Sequence, residues 1–204
     1  TSKGKSKPKV MNKNLKFLKE VFESRNLPEE NLPEFIFWGR SNVGKSSLIN
    51  SITKSKIAKT SKTPGRTRSL VFFEYEKKIR IVDFPGYGFS MIPKFKEFKI
   101  DRLIESYLTQ RKVIKFVFLL IDARHGMMEI DKNILWQLEE ILGSKVIIIF
   151  TKVDKLKNQD EKKSLLQNNE LINKNFYKRF FNTSIKNSND IFLLRKFLFK
   201  SIEE

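Results

Sequence analysis

The sequence predicts an α/β fold: a doubly wound, six-stranded and mostly parallel sheet with one antiparallel strand and helices on both faces. Three observations carry this expectation. Short runs rich in β-branched and aromatic residues alternate with stretches of helical period. The two strongest runs, FVFLLI at 116–121 and VIIIF at 146–150, are apolar throughout, as strands covered on both faces must be. Glu76-Lys77-Lys78 is a polar break too short for a crossover, so the runs flanking it must form an antiparallel hairpin.

The elements follow in order. Residues 1–20 hold seven Lys against one Glu, and residues 1–9 lack any apolar periodicity. They are expected to form a basic, disordered N-terminal extension, with residues 21–204 as a single domain. The chain begins at Thr1 rather than Met, as it would if a longer N-terminus, including a targeting segment, had been removed. Strands are expected at 35–38, 69–75, 78–83, 115–122, 145–150 and 178–182. Between them the period lengthens to that of helices, over 45–53, 94–111, 131–142, 160–175 and 188–200. Trp136, with Ile134, Leu135 and Leu138, is expected on the buried face of its helix, and Trp38 in the core. In such sheets ligands bind beyond the carboxyl ends of the strands, so the loops there are where function is sought.

Composition narrows the function classes. There are no cysteines among the 204 residues, which excludes a disulfide framework and any Cys-based zinc site. The longest apolar runs are about a third of a membrane span, so no membrane partner is expected. Net charge is +18, from 41 Lys and Arg against 23 Asp and Glu. Such an excess suits an anionic partner such as RNA, although Lys, Asn, Ile and Phe are all abundant, as an AT-rich coding sequence would also make them. Lys94, Lys96 and Lys99 interleave with Phe95 and Phe98, a pattern shared by nucleic-acid surfaces and amphipathic helix starts.

The loops carry the chemistry. Gly39-Arg40-Ser41-Asn42-Val43-Gly44-Lys45-Ser46-Ser47 sits between a strand and a helix and matches the phosphate-loop pattern. Its backbone N–H groups can turn onto a β-phosphate, with the positive end of the helix behind them. Lys45 would reach the β- and γ-phosphate oxygens, and the Ser46 hydroxyl would ligate Mg2+. Asp83-Phe84-Pro85-Gly86 ends the hairpin; Asp83 can hold a Mg2+-bound water, and the Gly86 N–H can meet a γ-phosphate. Thr151-Lys152-Val153-Asp154 follows the 145–150 strand. There Asp154 can accept both donors on the guanine edge while the Lys152 stem covers the base; adenine would leave the acid unpaired. Thr183-Ser184-Ile185 offers a backbone N–H to the guanine carbonyl. Between the first two loops, residues 60–68 are polar and contain Pro64-Gly65, as a segment ordered by a γ-phosphate should. A threonine there would complete the Mg2+ shell, and spacing leaves Thr63 and Thr67 both open.

Together these loops resemble a GTPase of the translation-factor class. GRSNVGKSSLIN, KTPGRT, DFPGYG, LLIDARHG and TKVDKL, in this order, closely resemble the EngB/YihA family, relatives of the TrmE, Era and EngA GTPases. The likeness covers about residues 24 to 200 and includes Asn26-Leu27-Pro28-Glu29 and Leu32-Pro33-Glu34. It implies a P-loop G domain that hydrolyses GTP to GDP with Mg2+, with Lys45 and Thr67 in catalytic roles and Gly65, Arg66 and Thr67 forming the switch contact. It also implies a role in assembling the large ribosomal subunit, through that particle or its pre-ribosomal RNA, and in bacteria an indirect link to division and septation. A monomer is expected, cytoplasmic in a bacterium and organellar in a eukaryote. Two departures stand out. Tyr87 occupies the position where Ras-like GTPases carry a water-orienting Gln, so slow intrinsic hydrolysis is expected; a nucleotide-sensing RNA-binding factor with negligible turnover is the alternative. Asn189 stands where relatives favour Gly. Asn42 matches the residue that in TrmE-like relatives helps bind K+, and is equally a loop residue suited to positive φ. His125 and Arg124 are read as structural, although Arg124 could serve as an internal arginine finger.

Overall fold

In the computed structural model, residues 15–56, 58, 69–88, 94–176 and 179–203 are described, with side chains at 94–98 and 175–176 excepted. The strands are β1 (Leu15–Val21), β2 (Glu34–Gly39), β3 (Leu70–Tyr75), β4 (Ile79–Asp83), β5 (Ile114–Asp122), β6 (Val146–Thr151) and β7 (Phe180–Thr183). The helices are α1 (Lys45–Thr53), α2 (Lys94–Gln110), α3 (Glu129–Leu142), α4 (Gln159–Phe176) and α5 (Ser188–Lys200). The sheet runs in the order β1-β3-β4-β2-β5-β6-β7, with β3 antiparallel to both its neighbours and the other pairings parallel.

The sheet has seven strands where six were expected, because residues 15–21 pair along β3. The basic extension as read from sequence therefore overlaps the fold at residues 15–20. Composition misled there: only Leu15 and Val21 of this strand are buried, and Lys16 and Lys19, two of the seven lysines behind that expectation, lie on an edge strand. Charged side chains and the irregularity between Phe17 and Lys19 suit such an edge, where they discourage pairing with other chains. The hairpin joining β3 to β4 turns through Glu76 and Lys77, both at positive φ (54° and 55°), the geometry of a type I′ turn built without glycine.

Alternation along the central strands divides the interior. Phe35, Phe37, Phe118, Leu120, Ile147 and Ile149 face α1 and α5, packing with Leu48, Ile49, Leu194 and Leu198. Ile36, Trp38, Val117, Leu119, Ile148 and Phe150 face the other side, with Leu103, Tyr107, Leu135, Leu138 and Ile172 from α2, α3 and α4. Trp136 departs from expectation: it is 66% exposed, because the buried stripe of α3 runs through Leu135 and Leu138 and leaves position 136 facing outward.

At the amino end of β2 lies a buried ionic hub. Glu34 is fully buried and takes two bonds from Arg111, Nη2 to Oε1 at 2.6 Å and Nε to Oε2 at 2.9 Å. Tyr107 donates its hydroxyl to the same carboxylate, and Arg80 lies 3.4 Å away. This ties the C-terminal end of α2 to the sheet, at the opposite pole from the loops considered next.

Candidate functional site

The site is built where β2 ends, at the point where the strand order reverses: β4 lies on one side and β5 on the other. Every residue of β2 is buried, since it is hydrogen-bonded on both edges and covered on both faces. Gly39 closes the strand; a Cβ there would stand 2.7 Å from the Leu120 carbonyl oxygen, so only glycine lets β2 and β5 approach so closely. The chain then turns through Asn42 (φ 64°) and Gly44 (φ 103°) into α1. No side chain caps α1, so the N–H groups of its first turn, which holds Lys45, Ser46 and Ser47, remain directed out of the loop. Asn42 thus has the positive φ that one reading of it required, and its side chain is exposed.

Lys45 leans across this loop and donates to the Asp83 carboxylate at the end of β4; each side chain is only 14% exposed. Residues 84–87 then continue alongside the first loop. Phe84 N–H donates to the Phe37 carbonyl at 3.0 Å, and Trp38 Nε1 donates to the Pro85 carbonyl at 3.0 Å. Tyr87 N–H bonds the Gly39 carbonyl at 3.3 Å, and Ser41 N–H bonds the Tyr87 carbonyl at 3.2 Å. Gly86 is pressed against Ser41 so closely that a Cβ would meet its backbone at 3.0 Å. Trp38 is therefore core, as expected, and also a strut under this loop.

The base-side loops join the same assembly. Thr151 Oγ1 donates to the Val43 carbonyl at 2.7 Å. Lys152, itself left-handed at φ 60°, sends Nζ to the Asn42 carbonyl at 2.6 Å and to Asp122 Oδ2 at 2.8 Å. Its stem passes Gly44, where Cε would lie 3.5 Å from a Cβ. Asp154 accepts from Ser184 Oγ at 2.8 Å and pairs with Lys186 at 3.3 Å. The Ser184 bond, more than the opposing effect of burial, holds the Asp154 carboxyl below its ordinary range. Ser184 is itself placed by its N–H on Asp190 Oδ2, 2.9 Å away in the first turn of α5. Thr183 pairs with Thr151 across β6 and β7, and its buried hydroxyl has no hydrogen-bond partner among the described residues. Ile185 is half exposed. Asn189 donates its N–H to the Asn187 side chain that caps α5.

The structure thus brings the residues expected at 39–47 together with Asp83, Gly86, Thr151, Lys152, Asp154, Thr183, Ser184 and Ile185 on the loops at the carboxyl ends of the parallel strands. Gly65, Arg66 and Thr67, and Thr63 with them, lie outside the described residues. Three participants were not found by reading the sequence. Asp122 anchors Lys152 and takes two bonds from Arg124, at 2.9 and 2.7 Å. Burial pushes its carboxyl up, but the bonds from Arg124 and Lys152 outweigh that and hold it well below the usual carboxylate range. Arg124 is thereby a structural partner, as expected, and the His125 N–H donates to the Asp122 carbonyl. Asp131, 1% exposed on α3, accepts the Tyr87 hydroxyl at 2.7 Å and the Met128 N–H at 2.9 Å. Burial first and the Asp131 charge second push the Tyr87 hydroxyl far up, so it remains a donor. Met128 receives Arg40 through its sulfur. The only trace of Asp131 in the sequence is its spacing of three from Met128, the offset of a helix cap.

Comparison with known proteins places this geometry. A family model described as 50S ribosome-binding GTPase matches residues 34–152. The chain is 46% identical over 152 residues to the probable GTP-binding protein EngB of Metamycoplasma arthritidis, covering 74% of this chain and 82% of that one. It is 40% identical over 189 residues to the probable EngB of Mycoplasma genitalium, covering 92% and 96%. Among solved structures, a probable GTP-binding protein EngB superposes with a TM-score of 0.62 at 32% identity, covering 83% of this chain and 98% of that one. Era of Aquifex aeolicus bound to GDP and aluminium fluoride shares the fold, with a TM-score of 0.64 at 22% identity over 82% of this chain and 56% of that one.

Proposed function

The chain belongs to the EngB family of GTP-binding proteins, and from that premise we propose that it is a Mg2+-dependent GTPase that acts as a switch in assembly of the large ribosomal subunit. One observation carries the nucleotide assignment. Lys152 joins the loop that would read the base to the loop that would hold the phosphates, through Nζ on the Asn42 carbonyl at 2.6 Å. A single ligand lying across both loops explains why two segments so far apart in sequence are tied together.

In this reading Lys45 leaves Asp83 to meet the β- and γ-phosphates, and the uncapped N–H groups of Lys45, Ser46 and Ser47 at the start of α1 cradle the β-phosphate. Asp154, kept ionised by Ser184, accepts from guanine. Thr183, Ser184 and Ile185 line the carbonyl edge of the base. Ser46 and, through a water, Asp83 would supply hard oxygen donors of the kind Mg2+ takes, and the Lys45–Asp83 pair brings this carboxylate to the loop that carries Ser46; Thr67 would add a third donor. Bound Mg2+ would neutralise charge developing on the phosphates. K+ beside Asn42 is a further proposal that rests on the resemblance to TrmE-like relatives alone, since the positive φ of Asn42 fits the plain loop role equally.

Turnover is expected to be slow. The residue in the position of a catalytic Gln, Tyr87, has its hydroxyl committed to Asp131. That same observation favours the second reading, a nucleotide-sensing, RNA-binding assembly factor with negligible hydrolysis. Net charge of +18 suits a ribosomal RNA partner under either reading, with any effect on septation indirect. Co-sedimentation with large ribosomal subunits in GDP, in a GTP analogue and without nucleotide tests the ribosomal role; equal pelleting in all three would sink the switch. Single-turnover hydrolysis in K+ and in Na+, with and without subunits, separates the two readings.

A further inference from the structure

We propose that Tyr87 and Asp131 are positioning residues for the nucleotide reaction: their hydrogen bond fixes the loop bearing Gly86 against the phosphate loop and makes the first turn of α3 move with it. This rests on the guanine-nucleotide reading above and adds to it a mechanical connection to α3.

The geometry is specific. Residues 84–87 are bound to the edge of the first loop by three backbone bonds and by the Trp38 indole, so they cannot shift singly. Gly86 has no room to settle further onto Ser41. Any force on Gly86 must therefore be carried by its neighbour Tyr87. The Tyr87 ring stands edge-on to Trp38, with centroids 5.6 Å apart, and its hydroxyl reaches Asp131. Asp131 divides its two oxygens, one to Tyr87 and one to the Met128 N–H that opens α3. Because the carboxylate is buried, withdrawing Tyr87 leaves one oxygen without its donor. Arg40, from the phosphate loop itself, reaches the sulfur of Met128, the residue that opens the same turn. Two nucleotide loops thus converge on one helix start. A γ-phosphate that holds the Gly86 N–H then favours the latched state, whereas a diphosphate makes no such demand. The latch accordingly sets the preference for triphosphate over diphosphate.

The full chain supplies its own reporter. Of its two tryptophans, Trp38 underlies the latch and Trp136 is exposed, so Trp136→Phe isolates the Trp38 signal. In that background Tyr87→Phe keeps the ring on Trp38 and removes only the hydroxyl. GDP affinity should stay within about two-fold, while affinity for a non-hydrolysable GTP analogue falls about ten-fold, the scale of one bond to a charged acceptor. The difference in Trp38 emission between the GDP and analogue states should shrink in step. Asp131→Asn has one acceptor oxygen for two donors, so the preference should fall part of the way; Asp131→Ala should match Tyr87→Phe, and the double variant should be no worse than either. An unchanged triphosphate-to-diphosphate ratio in Tyr87→Phe, or additive effects of the two changes, overturns the latch. Failure of the parent chain to bind GDP at all would instead overturn the guanine-nucleotide reading beneath it.

Discussion

Thr151 donates its hydroxyl to the carbonyl oxygen of Val43 across 2.7 Å, joining the end of β6 to the middle of the phosphate loop. The two residues are 108 positions apart, and both groups are buried. Replacing Thr151 with Val keeps the shape and β-branching but orphans a buried carbonyl, at a cost of about 1–3 kcal/mol. Urea denaturation should show that loss, and GDP binding should weaken with it. Unaltered stability would mean that the loop finds another donor for Val43.

Asp122 makes stability pH-dependent in a stated direction. Its folded carboxyl lies well below the ordinary range, so its contribution is complete above about pH 4 and is lost as pH falls below that toward the folded value. Asp122→Asn should therefore cost about 2 kcal/mol at pH 7, and its melting temperature should converge on that of the parent in acid. Thermal melts from pH 7 to pH 2.5 check this. Parallel curves would show that the bonds from Lys152 and Arg124 are not worth what their geometry implies.

Base choice is expected to rest on Asp154. Asp154→Asn should exchange a double acceptor for a group that also donates, shifting preference from guanosine to xanthosine nucleotides by about ten-fold or more. Competition binding with GDP, XDP and ADP reads this directly. The assignment fails if the preference is unmoved, or if the parent protein is protected against thermal unfolding equally by GTP and ATP.

The Glu34 hub predicts an asymmetry between breaking and replacing charge. Arg111→Met removes both bonds that Arg111 makes to a fully buried carboxylate, leaves only Arg80 at 3.4 Å to offset its charge, and should destabilise by about 3–5 kcal/mol. Adding Glu34→Gln to that variant should recover part of the loss, since a buried charge left with its weaker partner alone is gone. Chemical denaturation of the three proteins measures it. No recovery would place the cost in packing around Arg111 rather than in charge.

Much of the fold was legible because its signals are local. A buried parallel strand must be apolar throughout, and a helix packed on a sheet must repeat with its own period, so β2, β5, β6 and α1 stand in the sequence almost residue for residue. The phosphate-loop pattern was legible for a related reason: glycine, lysine and a following hydroxyl stand at set offsets in such a loop, whatever lies elsewhere. The edge strand β1 was not. Its burial is confined to Leu15 and Val21, and what makes it a strand is a row of hydrogen bonds to β3, whose paired residues run from Val21 with Leu70 to Leu15 with Tyr75, far along the chain. Trp136 misled because a helical stripe is wide in sequence and narrow in space.

Taken alone, the order of residues determined which segments fold into strands and helices and which loops match phosphate- and guanine-binding patterns, since both depend on short-range steric and hydrogen-bonding demands. Tertiary structure decided how those loops are held: Lys152 between Asn42 and Asp122, Ser184 on Asp154, Tyr87 on Asp131. Each of those bonds joins residues thirty or more positions apart and forms only after strands have aligned. A carboxylate such as Asp131 therefore reads as one acid among 23 until the packing of α3 buries it beside a phenol.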